Sequence, residues 1–184
     1  MKKALLIASV LFIAVISTAC INNIAVQELN NKAAEYMQKG DYESAMNRLQ
    51  ASIDLDATMY ETYYNLGIAA TNAKKYETAI EAFENGLKIK PDYPNFYYSL
   101  AVAQVSFADE LLEGISTEKS VSDDNSEEKI DYSSKISELK LAAISNIEKY
   151  FELNPQAEDK KSAEELLEYC QGSNDESKTE TTVQ

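Results

Sequence analysis

Residues 60–93 read YETYYNLGIAATNAKKYETAIEAFENGLKIKPDY, and this stretch decides the fold because its pattern recurs along the chain. Its key side chains are aromatic, small or bulky and apolar: Tyr63, Leu66, Gly67, Tyr76, Ala79 and Phe83. Matching types stand 34 positions earlier at Leu29, Ala33, Tyr42, Ala45 and Leu49, and 34 positions later at Tyr97, Leu100 and Ala101. A fixed period of this length is typical of stacked helical hairpins rather than of a globular enzyme.

Each repeat divides into two helical patterns joined by a short turn. The first helix is predicted from Val26 to Gln38, where apolar side chains follow helical spacing. Gly40 suits the residue past a helix end, and Asp41 can cap the next helix. Pro91 ends the second repeat because proline cannot continue a helix. The sequence therefore predicts an all-α fold.

The period breaks after the first helix of the third repeat. Residues 113–131 are rich in serine and acidic side chains and cannot bury enough apolar surface to offset the entropy lost on ordering. We expect a disordered acidic insertion there, with the helical pattern resuming near Tyr132. A last amphipathic helix is predicted over 156–170 as a cap on the open end of the stack, followed by a disordered tail over 171–184.

The second unit closely resembles the tetratricopeptide repeat, TPR. The matching residues are Tyr63, Leu66, Gly67, Ala79, Phe83 and Pro91. The resemblance covers 26–170 apart from the insertion and divides it into repeats 26–59, 60–93 and 94–157. It implies a right-handed superhelical solenoid of about three helix hairpins plus the C-terminal capping helix. Large residues at Gly67 or Ala79 should overpack the stack.

The resemblance also implies a concave groove that binds a peptide or protein segment. In the family this groove is lined by the first helix of each hairpin. The corresponding residues are Asn30, Met37, Tyr64, Asn65, Ile68, Tyr98, Val102 and Val105. The alternative is that Ile68, Val102 and Val105 only pack against neighbouring helices. No lysine or arginine occupies these positions, so the carboxylate clamp of one TPR subfamily is not expected.

The N-terminus has the layout of a bacterial signal peptide. Lys2 and Lys3 precede an apolar run from Ala4 to Ile16 that is short for a membrane span. The residues before Cys20 resemble the lipobox of bacterial lipoproteins, with Ser17 in place of the usual leucine. The resemblance implies removal of residues 1–19, a lipid on Cys20 and a short linker over 20–25. An ordinary signal peptide, an uncleaved anchor and a Cys20–Cys170 disulfide remain alternatives.

Composition bears on the remaining functional classes. The net charge of −14 disfavours nucleic-acid binding, which needs clustered cations, and suggests either simple solubility or a basic partner. The chain lacks histidine and has only five glycines, so we predict no enzyme, no cofactor and no metal site. The acidic residues between Asp123 and Glu128 lack the ordered alternation of a calcium loop and are interpreted as a solvated charge run.

The sequence thus predicts a lipid-anchored TPR scaffold in the bacterial cell envelope, facing the periplasm or lying at the cell surface. Its expected partners are a protein or peptide ligand and, through the lipid, a membrane. Envelope assembly is the expected context. The alternative is a structural, self-associating envelope subunit with no dedicated peptide ligand, and the oligomeric state stays open.

Overall fold

The computed structural model describes residues 23–120 and 132–179, with side chains described for 23–115 and 132–172. This part of the chain contains helices and turns and no strand. The helices in order are α1 (residues 23–38), α2 (Tyr42–Leu55), α3 (Tyr60–Asn72), α4 (Tyr76–Ile89), α5 (Pro94–Ser120), α6 (Ser133–Leu153) and α7 (Lys160–Thr179).

The helices form three hairpins, α1–α2, α3–α4 and α5–α6, stacked in a row. From α2 onward each helix packs on the next one along the chain, and α3 also packs on α5. α7 lies against both α5 and α6, where the first helix of a fourth hairpin would lie. Asp41 caps α2 as predicted, since its Oδ1 accepts a hydrogen bond from the Ser44 backbone N–H at 3.1 Å.

The core is a series of apolar clusters between successive helices. Leu49, Phe83 and Ile147 occupy equivalent places in the three second helices, and all three are fully buried. Small residues opposite them, such as Ala33 and Ala101, are also buried and let the helices approach closely. This repeating pairing of large with small side chains sets the spacing of the stack.

The predicted insertion is wrong over its first residues, because α5 continues to Ser120 instead of ending before Glu113. Leu111 and Ile115 explain the extension. They pack against a buried cluster that includes Ile136 of α6 and so give the helix an apolar face beyond the predicted end. Residues 121–131 of the insertion lie outside the described part of the chain.

The two ends of the folded domain also differ from the prediction. Residues 23–25, assigned to the linker, are helical, and the Gln27 side chain donates to Asn23 Oδ1 one turn earlier. The cap begins at Lys160 after two turns and runs on to Thr179, into the predicted tail. Gly172 does not stop it, because a helical glycine costs only about 1 kcal/mol and no proline follows. Residues 1–22, including Cys20, and residues 180–184 are not described.

Candidate functional site

The predicted groove residues lie on the first helices of the hairpins, α1, α3 and α5. All but one are half-buried and so retain exposed surface. We call the face that carries them the inner surface, defined by Asn30, Met37, Tyr64, Asn65, Ile68, Tyr98 and Val102. Ile68 and Val102 hold equivalent places 34 residues apart and form an apolar stripe along it.

Val105 is not part of this surface. It is 5% exposed and packs in a buried cluster with Ala101 and Ile147. The repeat position would point it toward the groove, but the long α6 and the docked α7 enclose this part of α5. Val105 is therefore a core residue, which was the alternative the sequence left open.

Tyr64 forms part of a fixed aromatic cluster at the centre of the inner surface. Its ring centroid lies 5.4 Å from that of Phe96 and 5.7 Å from that of Tyr93, both in edge-to-face arrangements. Phe83 lies 6.0 Å away on the other side. The Tyr64 hydroxyl accepts a hydrogen bond from Ser99 Oγ at 3.4 Å. These contacts hold the ring in one place, so a ligand would contact a fixed aromatic surface rather than a mobile side chain.

Tyr98 marks the C-terminal limit of the inner surface. Its ring centroid lies 5.3 Å from that of Tyr150, and it packs against the same buried cluster as Leu166 and Leu167 of α7. Burial, and then the nearby carboxylates of Asp159 and Glu165, raise the pKa of the Tyr98 hydroxyl. α7 thus ends the surface beside Tyr98, and the more open stretch lies on α1, α3 and the start of α5.

The amide side chains differ in their availability. Asn30 is tied to the fold, because its Nδ2 donates to Ser52 Oγ at 2.7 Å and to the Val26 carbonyl at 2.9 Å. Asn65 is half-buried, and no described residue hydrogen-bonds to its side chain. Asn95, exposed at the start of α5, donates only a long bond of 3.4 Å to the Tyr93 hydroxyl. Asn65 and Asn95 are therefore the amides best placed to pair with a ligand.

Groups suited to other chemistry are few in the described residues. No three Cys, Asp or Glu side chains there lie close enough together to hold a metal ion. Cys170 is fully buried, and this burial raises the pKa of its thiol, which disfavours the reactive thiolate. Within the same part of the chain, every helix is too short or too polar to cross a membrane.

A second concave feature lies on the opposite side, between the second helices α4 and α6. It is a cavity of about 290 Å³ floored by α5, and the sequence interpretation missed it. A signal was present, since Glu77, Glu81 and Glu84 recur at helical spacing on one face of α4. That signal was lost among the many acidic residues of the chain.

Family comparisons agree with the repeat interpretation. Residues 60–93 match the tetratricopeptide repeat family, and residues 33–70 match the family described as TPR repeat. Residues 33–93 are therefore similar to tetratricopeptide repeats. Small glutamine-rich tetratricopeptide repeat-containing protein 2 of Mycosarcoma maydis is 29% identical over 62 residues, which is 34% of this chain. The match spans only 18% of that protein's length.

Solved structures extend the likeness to most of the chain. The Yersinia enterocolitica type III secretion chaperone SycD, in complex with a peptide of the translocator YopD, aligns with a TM-score of 0.58 and 19% identity, over 80% of this chain and 93% of its own. The first TPR of Spaghetti (RPAP3), bound to the HSP90 peptide SRMEEVD, aligns with a TM-score of 0.59 and 16% identity, over 80% and 91%. These likenesses confirm the predicted fold, a right-handed superhelical solenoid of three TPR-type hairpins closed by a capping helix.

Proposed function

We propose that this chain is a scaffold that binds a peptide or protein segment on its inner surface. The proposal rests on one observation, which is that the inner surface presents the partly exposed apolar stripe of Ile68 and Val102 together with the fixed ring of Tyr64. Rigid tyrosines flanked by apolar side chains are frequent in binding surfaces because little entropy is lost when they are covered. Solved structures of the same fold that hold peptides support this reading.

The side chains on this surface favour a particular kind of ligand. An extended or helical segment could cover the apolar stripe while its main chain pairs with the amides of Asn65 and Asn95. The surface offers no lysine or arginine, so a terminal carboxylate would find no charged partner among its residues. We therefore propose recognition by apolar contacts and main-chain hydrogen bonds, with no catalytic step.

Photo-crosslinking in cells tests this assignment. A photoreactive amino acid would replace Asn65 on the inner surface or Asn95 at the start of α5, and Asn47, exposed on α2, would serve as the matched control. We expect adducts of defined mass from the first two positions and none from the third. Equal labelling at Asn47, or no adduct at Asn65 and Asn95, would contradict the proposal. Circular dichroism of each variant verifies that the helices are intact.

We further propose that the scaffold is anchored to a membrane of the bacterial envelope by a lipid on Cys20 and acts in envelope assembly. The lipobox-like residues before Cys20, and the apolar run from Ala4 to Ile16, support this. Metabolic labelling with an alkyne fatty acid is the test. Wild type and Cys170→Ala should be labelled, and Cys20→Ala should not. Label that persists in Cys20→Ala, or that is absent from wild type, would disprove lipidation at this residue.

A further inference from the structure

The cavity between α4 and α6 has an apolar floor. Phe107 and Ile80 are half-buried there, and the buried Leu139 and the partly exposed Ala142 complete it from α6. α4 and α6 both pack on α5, which separates them and leaves this groove open to solvent. We call it the outer groove, because it lies on the second helices of the hairpins, away from the inner surface.

The rim of the outer groove is strongly acidic. Glu77, Glu81 and Glu84 are exposed on α4 at successive helical turns and span about 10 Å along its axis. None of the three forms an ion pair with a described residue. Across the groove, Glu138 is paired with Lys135 at 3.3 Å, and Lys135 is the only basic residue among the described residues that line the groove. Like charges four residues apart destabilise a helix by a few tenths of a kcal/mol, so this row of glutamates lowers the stability of α4.

The negative potential extends along α5. Tyr76 lies beside the groove, with its ring centroid 6.0 Å from that of Phe107. Burial, and then the charges of Glu110, Glu113 and Asp109, raise the pKa of the Tyr76 hydroxyl. Carboxylates therefore act on this end of the groove from α5 as well as from α4.

Gln104 contributes an amide group to the base of the groove. Gln104 is only 6% exposed and lines the cavity. Its Oε1 accepts a hydrogen bond from Asn146 Nδ2 at 2.9 Å, while its amide nitrogen donates to no described residue. This nitrogen is not a buried unsatisfied atom, so it is accessible from the groove and could donate to a carbonyl of a bound segment.

We propose that the outer groove binds a lysine- or arginine-bearing amphipathic segment of another protein. Its apolar side chains would cover Phe107 and Ile80, and its cations would pair with the glutamates of α4. Charge argues against the chain itself as the occupant. A second copy would also carry a net charge of −14, and residues 121–131 contain five acidic residues and one lysine. This site is separate from the inner surface and does not depend on its function.

Two fluorescent probe peptides test the proposal by anisotropy with the purified full chain. Both are designed amphipathic helices of one sequence, except that lysines in the first are glutamates in the second. We expect the lysine peptide to bind, more weakly as salt is raised, and the glutamate peptide not to bind. Equal binding of the two peptides, or binding of neither, would overturn the proposal.

Matched variants separate the groove from the general negative charge. Glu77→Gln/Glu81→Gln/Glu84→Gln should weaken binding of the lysine peptide at least about tenfold, as loss of several close charge pairs predicts. The control Glu164→Gln/Glu165→Gln/Glu168→Gln removes the same charge from exposed positions on α7 and should leave binding unchanged. Ala142→Leu fills the floor without changing charge and should also weaken binding.

Equal losses in the two triple variants, or full affinity in Ala142→Leu, would show that the peptide does not lie in the outer groove. Sedimentation provides a further check on the occupant. Self-association that disappears in the α4 triple variant would identify a second copy instead and overturn the proposal. Neutralising the exposed α4 glutamates relieves like-charge repulsion, whereas the α7 control loses only the exposed ion pairs of Glu164 with Lys160 and of Glu165 with Lys161. Both triple variants should therefore fold, which their thermal midpoints verify.

Discussion

Gly40 and Lys74 stand at equivalent turns of the first two hairpins, and both adopt a left-handed backbone with φ of +74° and +57°. The same hydrogen-bond pattern surrounds them. Asp41 N–H donates to the Tyr36 carbonyl, and Lys75 N–H donates to the corresponding carbonyl of α3 at 2.8 Å. This pattern is the Schellman motif that ends a helix on a left-handed residue. Glycine adopts that conformation without strain and lysine does not.

The two positions should therefore respond in opposite directions to substitution. Lys74→Gly should stabilise the protein by about 1 kcal/mol, and Gly40→Lys should destabilise it by a similar amount. Urea unfolding at neutral pH measures both as shifts of the midpoint at constant slope. Destabilisation by Lys74→Gly would mean that the lysine side chain contributes more than its backbone strain costs.

Gly67 matters for a different reason, which is close approach between helices. A Cβ at this position would lie 2.3 Å from the Phe83 ring, and Phe83 is fully buried and cannot move aside. Gly67→Ala should destabilise the fold by about 1–3 kcal/mol. Gly114→Ala, in α5, is the control because its Cβ would meet nothing within 4 Å, and it should stabilise by about 0.5–1 kcal/mol. Equal effects of the two substitutions on the thermal midpoint would refute this steric role.

At the scale of elements, polar contacts hold α7 on the stack just before its start and at its middle. Near its start, the Tyr150 hydroxyl donates to Asp159. Further along, the Tyr169 hydroxyl donates to Asp109 Oδ1 at 2.6 Å, and the Lys140 ammonium lies 4.9 Å from the centre of the Tyr169 ring. Because the cap covers the last hairpin, its docking should depend on the protonation of these tyrosines.

Alkaline pH should therefore loosen α7. The pKa of Tyr150 rises to about 12, first through burial and then through its bond to Asp159, and that of Tyr169 rises to about 12, first through its bond to Asp109. Since a phenol in the unfolded chain titrates near 10, this stability is complete below about pH 10 and is lost as pH rises toward 12.

Phenolate absorbance followed together with helical circular dichroism measures this effect. We expect most of the 12 tyrosines to titrate first and the last ones to titrate with loss of helix. In Tyr150→Phe/Tyr169→Phe the protein should be less stable at neutral pH, but its stability should fall less between pH 10 and 12. A single tyrosine transition near pH 10 with helix content unchanged would contradict this account.

Helix type was predictable from sequence, but helix ends and side-chain partners were less so. The 34-residue period identified the hairpins, because small and large residues must alternate for them to stack. It could not show that Ile115 would find apolar partners on α6, since these arise only when α6 packs on α5. Likewise the repeat position placed Val105 in the groove, whereas packing by α6 and α7 encloses it. The outer groove depends on three helices at once and has no local signature beyond the α4 glutamates.

At the scale of the whole molecule, the described helices pack on near neighbours in the stack. α4 packs on α3 and α5, and α7 packs on α5 and α6. A protein of this kind has stability that sums over units and their interfaces rather than residing in one centre. Central helices have partners on both sides and end helices on one, so opening should begin at the ends.

Hydrogen exchange measured by mass spectrometry can verify this graded stability. In wild type we expect amides of α1 and α7 to exchange fastest and those of α3 to α5 slowest. Leu49→Ala, at the first hairpin, should cost about 2–5 kcal/mol but accelerate exchange mainly in α1 and α2. Phe83→Ala, at the centre, should accelerate every helix, because it removes the ring that joins the second hairpin to α5. Uniform acceleration by Leu49→Ala would instead indicate a single cooperative unit, in which a ligand held on the inner surface would stabilise both ends equally.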